Sequence, residues 1–136
     1  MKVVLDTNIW LDWLVFADPG VAPLRAAFEA GRIQIFIDEA CEAELARVLG
    51  YPLQKKILDA AGQQACMAEC KRIARRIARG KPPAALPRCR DADDQKFLEA
   101  AAAAGADFLV TKDAALLELA RRGLMFRIIK PDSFRF

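Results

Sequence analysis

Residues 2–10 read KVVLDTNIW, and the fold turns on how that stretch is taken. Val3, Val4 and Leu5 form a continuous apolar run without polar alternation, the pattern of a strand covered on both faces in a parallel sheet. Asp6 stands where that strand stops. In open α/β sheets the ligand crevice lies beyond the carboxyl ends of the strands, so a carboxylate there is placed to meet a ligand. Thr7 and Asn8 follow, and Ile9 restarts an apolar pattern. A plainer role is equally open to Asp6 or Asn8, because both residue types cap helices by accepting bonds from free N–H groups.

Outward from this stretch the pattern alternates. Residues 9–16 and 19–30 predict two helices, the second stopped by Gly31. Residues 33–37 (IQIFI) predict a second strand, and Asp38 is a natural N-cap for a helix running to about Leu49, where Gly50 and Pro52 end it. Residues 53–79 again carry helical spacing, with a break near Gly62, before Gly80, Pro82, Pro83 and Pro87 punctuate a loop. A short strand is predicted within residues 84–90. The next helix starts near Asp93 and runs through an alanine-rich stretch to Gly105; residues 107–111 (DFLVT) form a strand, Asp113 opens a helix to about Arg122, and residues 125–129 (MFRII) make the last strand. Strands alternating with helices predict an α/β fold, a three-layer α/β/α domain over residues 1–136 with a central parallel sheet of about five strands.

Composition removes several chemistries. The 136 residues include no histidine, which excludes Ser/His and Cys/His nucleophile pairs and the usual thiolate–imidazole zinc site. Cys41, Cys66, Cys70 and Cys89 form no C-x-x-C pair and read as reduced, buried thiols of a cytoplasmic protein. No apolar run approaches a membrane span, Asp12 interrupting the longest early one, and no signal peptide is predicted. A net charge of +3 is too small to identify a nucleic-acid binder by itself.

Several carboxylates scattered through the sequence fall at the sheet edge that carries Asp6. In the third helix Cys41, Leu45, Val48 and Leu49 make the core stripe, Glu42 and Glu44 lie on its two flanks, and Glu39 points away. Asp91, Asp93 and Asp94 cluster at the start of a helix; Asp94, three and four residues before Phe97 and Leu98, shares their inward face. Asp113 stands two residues past the fourth strand, where capping is again the plainer alternative. Three or four carboxylates in one crevice repel one another unless a cation neutralises them or some take up protons. All-oxygen ligation suits Mg²⁺ or Mn²⁺, which can polarise a phosphodiester oxygen and generate hydroxide near neutral pH without histidine.

Positive charge concentrates elsewhere. Lys71, Arg72, Arg75, Arg76, Arg79, Lys81, Arg88 and Arg90 occur with no acid among them. At helical spacing Arg72, Arg75, Arg76 and Arg79 share one face beside an apolar stripe of Cys66, Cys70, Ile73 and Ile77. That face reads as a solvated surface, as a wall that tracks the phosphate backbone of a polyanion beside the acidic cleft, or as a contact for an acidic partner protein.

LDTNIW at the start, a helix carrying EAELARVL, the segment RDADDQKFLEAAAAAGADFLVTKD and a terminal strand together resemble PIN-domain ribonucleases over nearly the whole chain. The resemblance is closest to the branch described as toxins of toxin–antitoxin pairs. It implies a metal-dependent endoribonuclease with Mg²⁺ or Mn²⁺ held by Asp6, Glu44, Asp94 and Asp113, and polar neighbours at Asn8 and Thr111. The choice of Glu44 over Glu42 rests on the resemblance, and Asp91 and Asp93 are near enough to share ligation with Asp94. Lys112 stands where relatives often carry glycine or arginine, a difference expected to matter little. Implied partners are an RNA substrate, an antitoxin protein and a second copy of the chain; no membrane is implied. The rival reading is a catalytically weak PIN-fold module that binds RNA or protein. A haloacid-dehalogenase-type phosphatase would want a second aspartate where Asn8 stands, a receiver domain would want paired acids before its acceptor strand, and no Gly-rich phosphate loop is present.

Overall fold

The computed structural model describes residues 1–78 and 80–133. Strand β1 (Lys2–Leu5) lies at the centre of a five-stranded sheet, with Val3, Val4 and Leu5 each at most 1% exposed. It pairs in parallel with β2 (Gln34–Asp38) on one side and β4 (Phe108–Val110) on the other, so Val4 lies between Phe36 and Leu109. Strand β3 (Ala74–Ile77) extends the sheet beyond β2, and β5 (Arg127–Ile129) extends it beyond β4, both in parallel. The strand order is β3-β2-β1-β4-β5. The chain therefore builds outward from β1 in one direction, then returns past β1 to build in the other. That reversal opens a crevice at the carboxyl ends of β1 and β4.

Helices cover both faces of the sheet, and aspartates start most of them. Asp6 caps α1 (Thr7–Leu14), Asp38 caps α3 (Glu39–Val48) and Asp59 caps α4 (Ala60–Ile73), each accepting a backbone N–H of the first turn. A 3₁₀ turn (Pro19–Val21) leads into α2 (Ala22–Glu29), after which Gly31 takes φ +72°. Helix α5 (Gln95–Ala104) lies against the sheet through Ala100, Ala101 and Ala104, whose small side chains let the backbones approach closely. Gly105, at φ +61°, ends it in the left-handed conformation that glycine adopts without a Cβ penalty. Helix α6 (Ala114–Leu117) is only one turn, continued by a 3₁₀ segment (Glu118–Arg121). Trp10, Phe97, Leu45, Leu49, Leu98 and Leu116 fill the core between these layers. Among the described residues no helix is long and apolar enough to cross a membrane.

The structure corrects the reading of residues 53–90. Helix α4 is shorter than its periodicity predicts, because residues 53–56 form a tight bridge between Leu53 and Lys56. Gly62 does not break the helix; its N–H receives the Asp59 cap. At Ala74 the backbone turns extended, and ARRI pairs with β2 in place of continuing the helix. Ile73 and Ile77 fit a helical stripe in sequence, yet β2 offers an open row of backbone groups, and pairing with it decides the outcome. Arg72, Arg75 and Arg76 consequently share no helical face, and Arg79 lies outside the described residues. The strand predicted within 84–90 is absent; that segment is irregular, with Pro82, Pro83 and Pro87 unable to donate to a sheet.

Candidate active site

Asp6 leaves β1 almost wholly buried, at 3% exposure. Its Oδ1 accepts the Ile9 N–H (3.0 Å), and its Oδ2 accepts the Thr111 hydroxyl. Cap and crevice residue, alternatives in the sequence, are therefore the same carboxylate. Thr111 Oγ1 in turn accepts the Asp113 N–H (2.9 Å), so a short relay ties the loop after β4 to the end of β1. Burial pushes the Asp6 carboxyl up to about 6; the bonds from Thr111 and Ile9 oppose this, and the charges of Asp113 and Asp12 add to it.

Asp94 enters from the turn (Ala92–Asp94) that starts α5. Burial, then a hydrogen bond with Asp113 and the charges of Asp113, Asp91 and Asp6, push its carboxyl up to about 8. At neutral pH Asp94 keeps a proton that it can donate to Asp113. Asp113 Oδ2 is buried and has no hydrogen-bond partner among the described residues. Asp6, Asp94 and Asp113 thus come together as a crowded group of carboxylates, in which Asp6 and Asp94 are raised by burial and by their acidic neighbours.

Among the described residues no three His, Cys, Asp or Glu side chains are already arranged to hold a metal ion. The donor chemistry nevertheless fits one: hard oxygens crowded together and an orphaned buried Oδ2 on Asp113. Glu44 stands beside this trio. Its Oε2 accepts the Thr7 hydroxyl, while Lys96 Nζ donates to Oε1 (2.5 Å) and to the Asp93 carbonyl (2.8 Å). Glu42 faces the opposite flank of α3, toward Arg76 (3.8 Å), so Glu44 is the glutamate on the Asp6 side.

The remaining acids and polar neighbours separate. Asp91 is exposed and accepts the Asp93 N–H (3.0 Å), its charge reaching Asp94; Asp93 is exposed and contributes its carbonyl to Lys96. Thr111 is fully buried against Asp6, whereas Asn8 is exposed on the first turn of α1. Arg72 is taken up by Glu69 (2.5 Å), and Arg76 by Glu39 and Glu42 at 3.8 Å each, which leaves Arg75 as the exposed, unpaired arginine of β3 among the described residues. From β3 the chain returns to α5 carrying Lys81, Arg88 and Arg90, and its end is pinned by Gln95, which accepts the Cys89 N–H (2.6 Å) and donates to the Pro87 carbonyl (3.1 Å). A hollow of about 740 Å³ lined by Glu39, Ala40, Ala43, Arg76, Ile77 and Ala78 lies at the β3 end and includes none of the three clustered aspartates.

Sequence reasoning missed Asp12 and Lys112. Asp12 is buried at 8% exposure, and its Oδ2 is ion-paired with Lys112 Nζ. The signal available was a lone charge inside the apolar run 9–16.

No curated protein sequence matches the chain. Residues 2–115 match the family profile described as the PIN domain, a span that includes every strand but β5 and all of the clustered acids. On that match, over most of the length and with the strand-end aspartates in place, the chain belongs to the PIN-domain family.

Proposed function

We propose that this PIN domain is an endoribonuclease that hydrolyses phosphodiester bonds with Mg²⁺ or Mn²⁺ and acts as the toxin of a toxin–antitoxin pair. PIN domains are typically nucleases and generally use divalent ions. The observation that carries the reading here is the trio of Asp6, Asp94 and Asp113 at the β1/β4 reversal, Asp6 and Asp113 linked through Thr111 and Asp94 set against Asp113. Those three aspartates would hold the ion, which when bound would polarise a phosphodiester oxygen and supply hydroxide from water near neutral pH. The chain's own groups do the positioning. Thr111 fixes Asp6 and Asp113 relative to each other, Asp94 would be a ligand only in its ionised form, and Thr7 and Lys96 hold Glu44 at the rim. Arg75, Lys81 and Arg88, exposed on β3 and on the return to α5, would supply cations for substrate phosphates that the aspartates alone would repel. The choice of RNA and the toxin role rest on the resemblance carried by LDTNIW and ADFLVTKD.

The purified protein should cleave RNA with Mn²⁺ and lose all cleavage in EDTA; full activity in chelator would sink the mechanism. Induced expression should arrest growth of its host, and an Asp6→Asn copy should not. A second reading, a weakly catalytic binding module, draws on one observation: both oxygens of Glu44 are already taken by Thr7 and Lys96. Tight RNA binding without metal-dependent cleavage would favour it.

A further inference from the structure

Lys96 is the second residue of α5, where a cation stands against the helix dipole and is disfavoured. What offsets this comes from another helix and from the turn just before. Its Nζ donates to Glu44 Oε1 on α3 (2.5 Å) and to the Asp93 carbonyl (2.8 Å). The other oxygen of Glu44 accepts the hydroxyl of Thr7, the first residue of α1. Both ends of this chain of bonds stop one residue short of the clustered acids, since Thr7 directly follows Asp6 and Asp93 directly precedes Asp94. The side chains of Lys96 and Glu44 are 20% and 14% exposed, so solvent screens their charges only in part. Arg47 stands farther from Glu44, at 3.9 Å and with a largely exposed side chain, which leaves Lys96 as the cation that fixes the carboxylate.

We propose that Lys96 and Glu44 form a charged brace that positions Asp94 relative to Asp6, with Glu44 engaged in the brace and not as a ligand of the ion. Lys96 ties the turn that carries Asp94 to α3, and Thr7 ties α3 to the end of β1. Two acids delivered by different elements thereby take their relative places through a third. For Glu44 to turn toward an ion it would have to give up a charge-assisted bond to Lys96 and leave that ammonium unsupported at a helix N-terminus. Lys96 is therefore a positioning residue, acting through Glu44 and the Asp93 carbonyl. This inference rests on the metal-dependent reading above and assigns a role to the acid that the aspartate trio leaves over.

Mn²⁺ affinity of the intact protein by isothermal titration, with urea melts in EDTA to follow the fold, tests the brace. Lys96→Met and Glu44→Gln should each weaken Mn²⁺ binding about 10- to 100-fold, the range for groups that orient metal ligands. Charge alone predicts the reverse for Lys96→Met, because removing a cation beside acids favours another cation. Since the two residues act as one unit, the double variant should bind Mn²⁺ no more weakly than the weaker single variant. Lys96→Arg, which keeps the charge, should lie closer to wild type than Lys96→Met does, and Lys96→Gln gives the same comparison if Lys96→Met does not fold. Tighter Mn²⁺ binding by the neutral variants would overturn the inference, since the lysine would then be masking a ligand. Additive losses would overturn it too, as would lost stability in EDTA with Mn²⁺ affinity unchanged, the mark of a merely structural ion pair. Each of those results leaves the metal-dependent nuclease standing, whereas no Mn²⁺ bound to wild type would overturn both.

Discussion

Oδ1 of Asp6 closes the first turn of α1 while Oδ2 takes the Thr111 hydroxyl, and this division lets substitutions separate the two roles. Asp6→Asn keeps an oxygen for Ile9, whereas Asp6→Ala removes it. Asp6→Ala should therefore lose about 1 kcal/mol more stability than Asp6→Asn, the usual scale of a lost N-cap. Both should lose cleavage, and both should lose most of the metal-induced stabilisation, which for wild type amounts to about 2.7 kcal/mol at 100 times the dissociation constant. Urea melts in EDTA and in Mn²⁺ measure all three quantities. If the two variants respond to Mn²⁺ as wild type does, Asp6 is a cap alone. Asp94 carries a pH signature. Its folded carboxyl is raised from 3.8 to about 8, so between those values the folded state binds a proton that the unfolded chain has released. Stability in EDTA should be greatest at the acidic end of that window and fall as pH rises through about 8. Asp94→Asn should flatten the decline, and melting curves across pH 5 to 8.5 would show a slope unchanged by the substitution if another group is responsible.

At the scale of elements, α3 sorts its two glutamates by flank. Glu44 faces Thr7 and Lys96, and Glu42 faces Arg76. Glu44→Gln should lower cleavage about 10- to 100-fold, the range seen when a group orienting a metal site is removed, while Glu42→Gln should stay near wild type. A larger loss at Glu42 would place the working flank beside β3. The same elements show what a sequence can and cannot disclose. β1, β2 and β4 were legible because each is a short apolar run delivered between helix caps and glycines, and Asp6, Asp94 and Asp113 were legible because strand and helix ends carried them to one edge. β3 was not, since Ile73 and Ile77 satisfy a helical period and only the presence of β2 beside them selects the strand. The Asp12–Lys112 pair showed only one half of itself, a lone charge inside the apolar run 9–16, with nothing to name its partner. Its partners are joined by the parallel pairing of β1 and β4, which no spacing along the chain encodes.

Across the whole molecule, the sheet ends in two short parallel strands, and each carries exposed arginine: Arg75 and Arg76 on β3, Arg127 on β5. An open edge presents unpaired backbone groups to any other chain, and charged side chains there discourage sheet-to-sheet joining. β3 has a further burden, since it is the last strand on its side of the sheet and carries apolar Ala74 and Ile77. Removing its charge would therefore leave a bare, β-prone ARRI-derived ribbon on the surface. Arg75→Val/Arg76→Thr should leave the fold intact by circular dichroism yet form concentration-dependent aggregates by light scattering, reversed when one arginine is restored. A basic stretch that invites comparison with nucleic-acid binders would then also be what keeps one copy of the protein from templating the next.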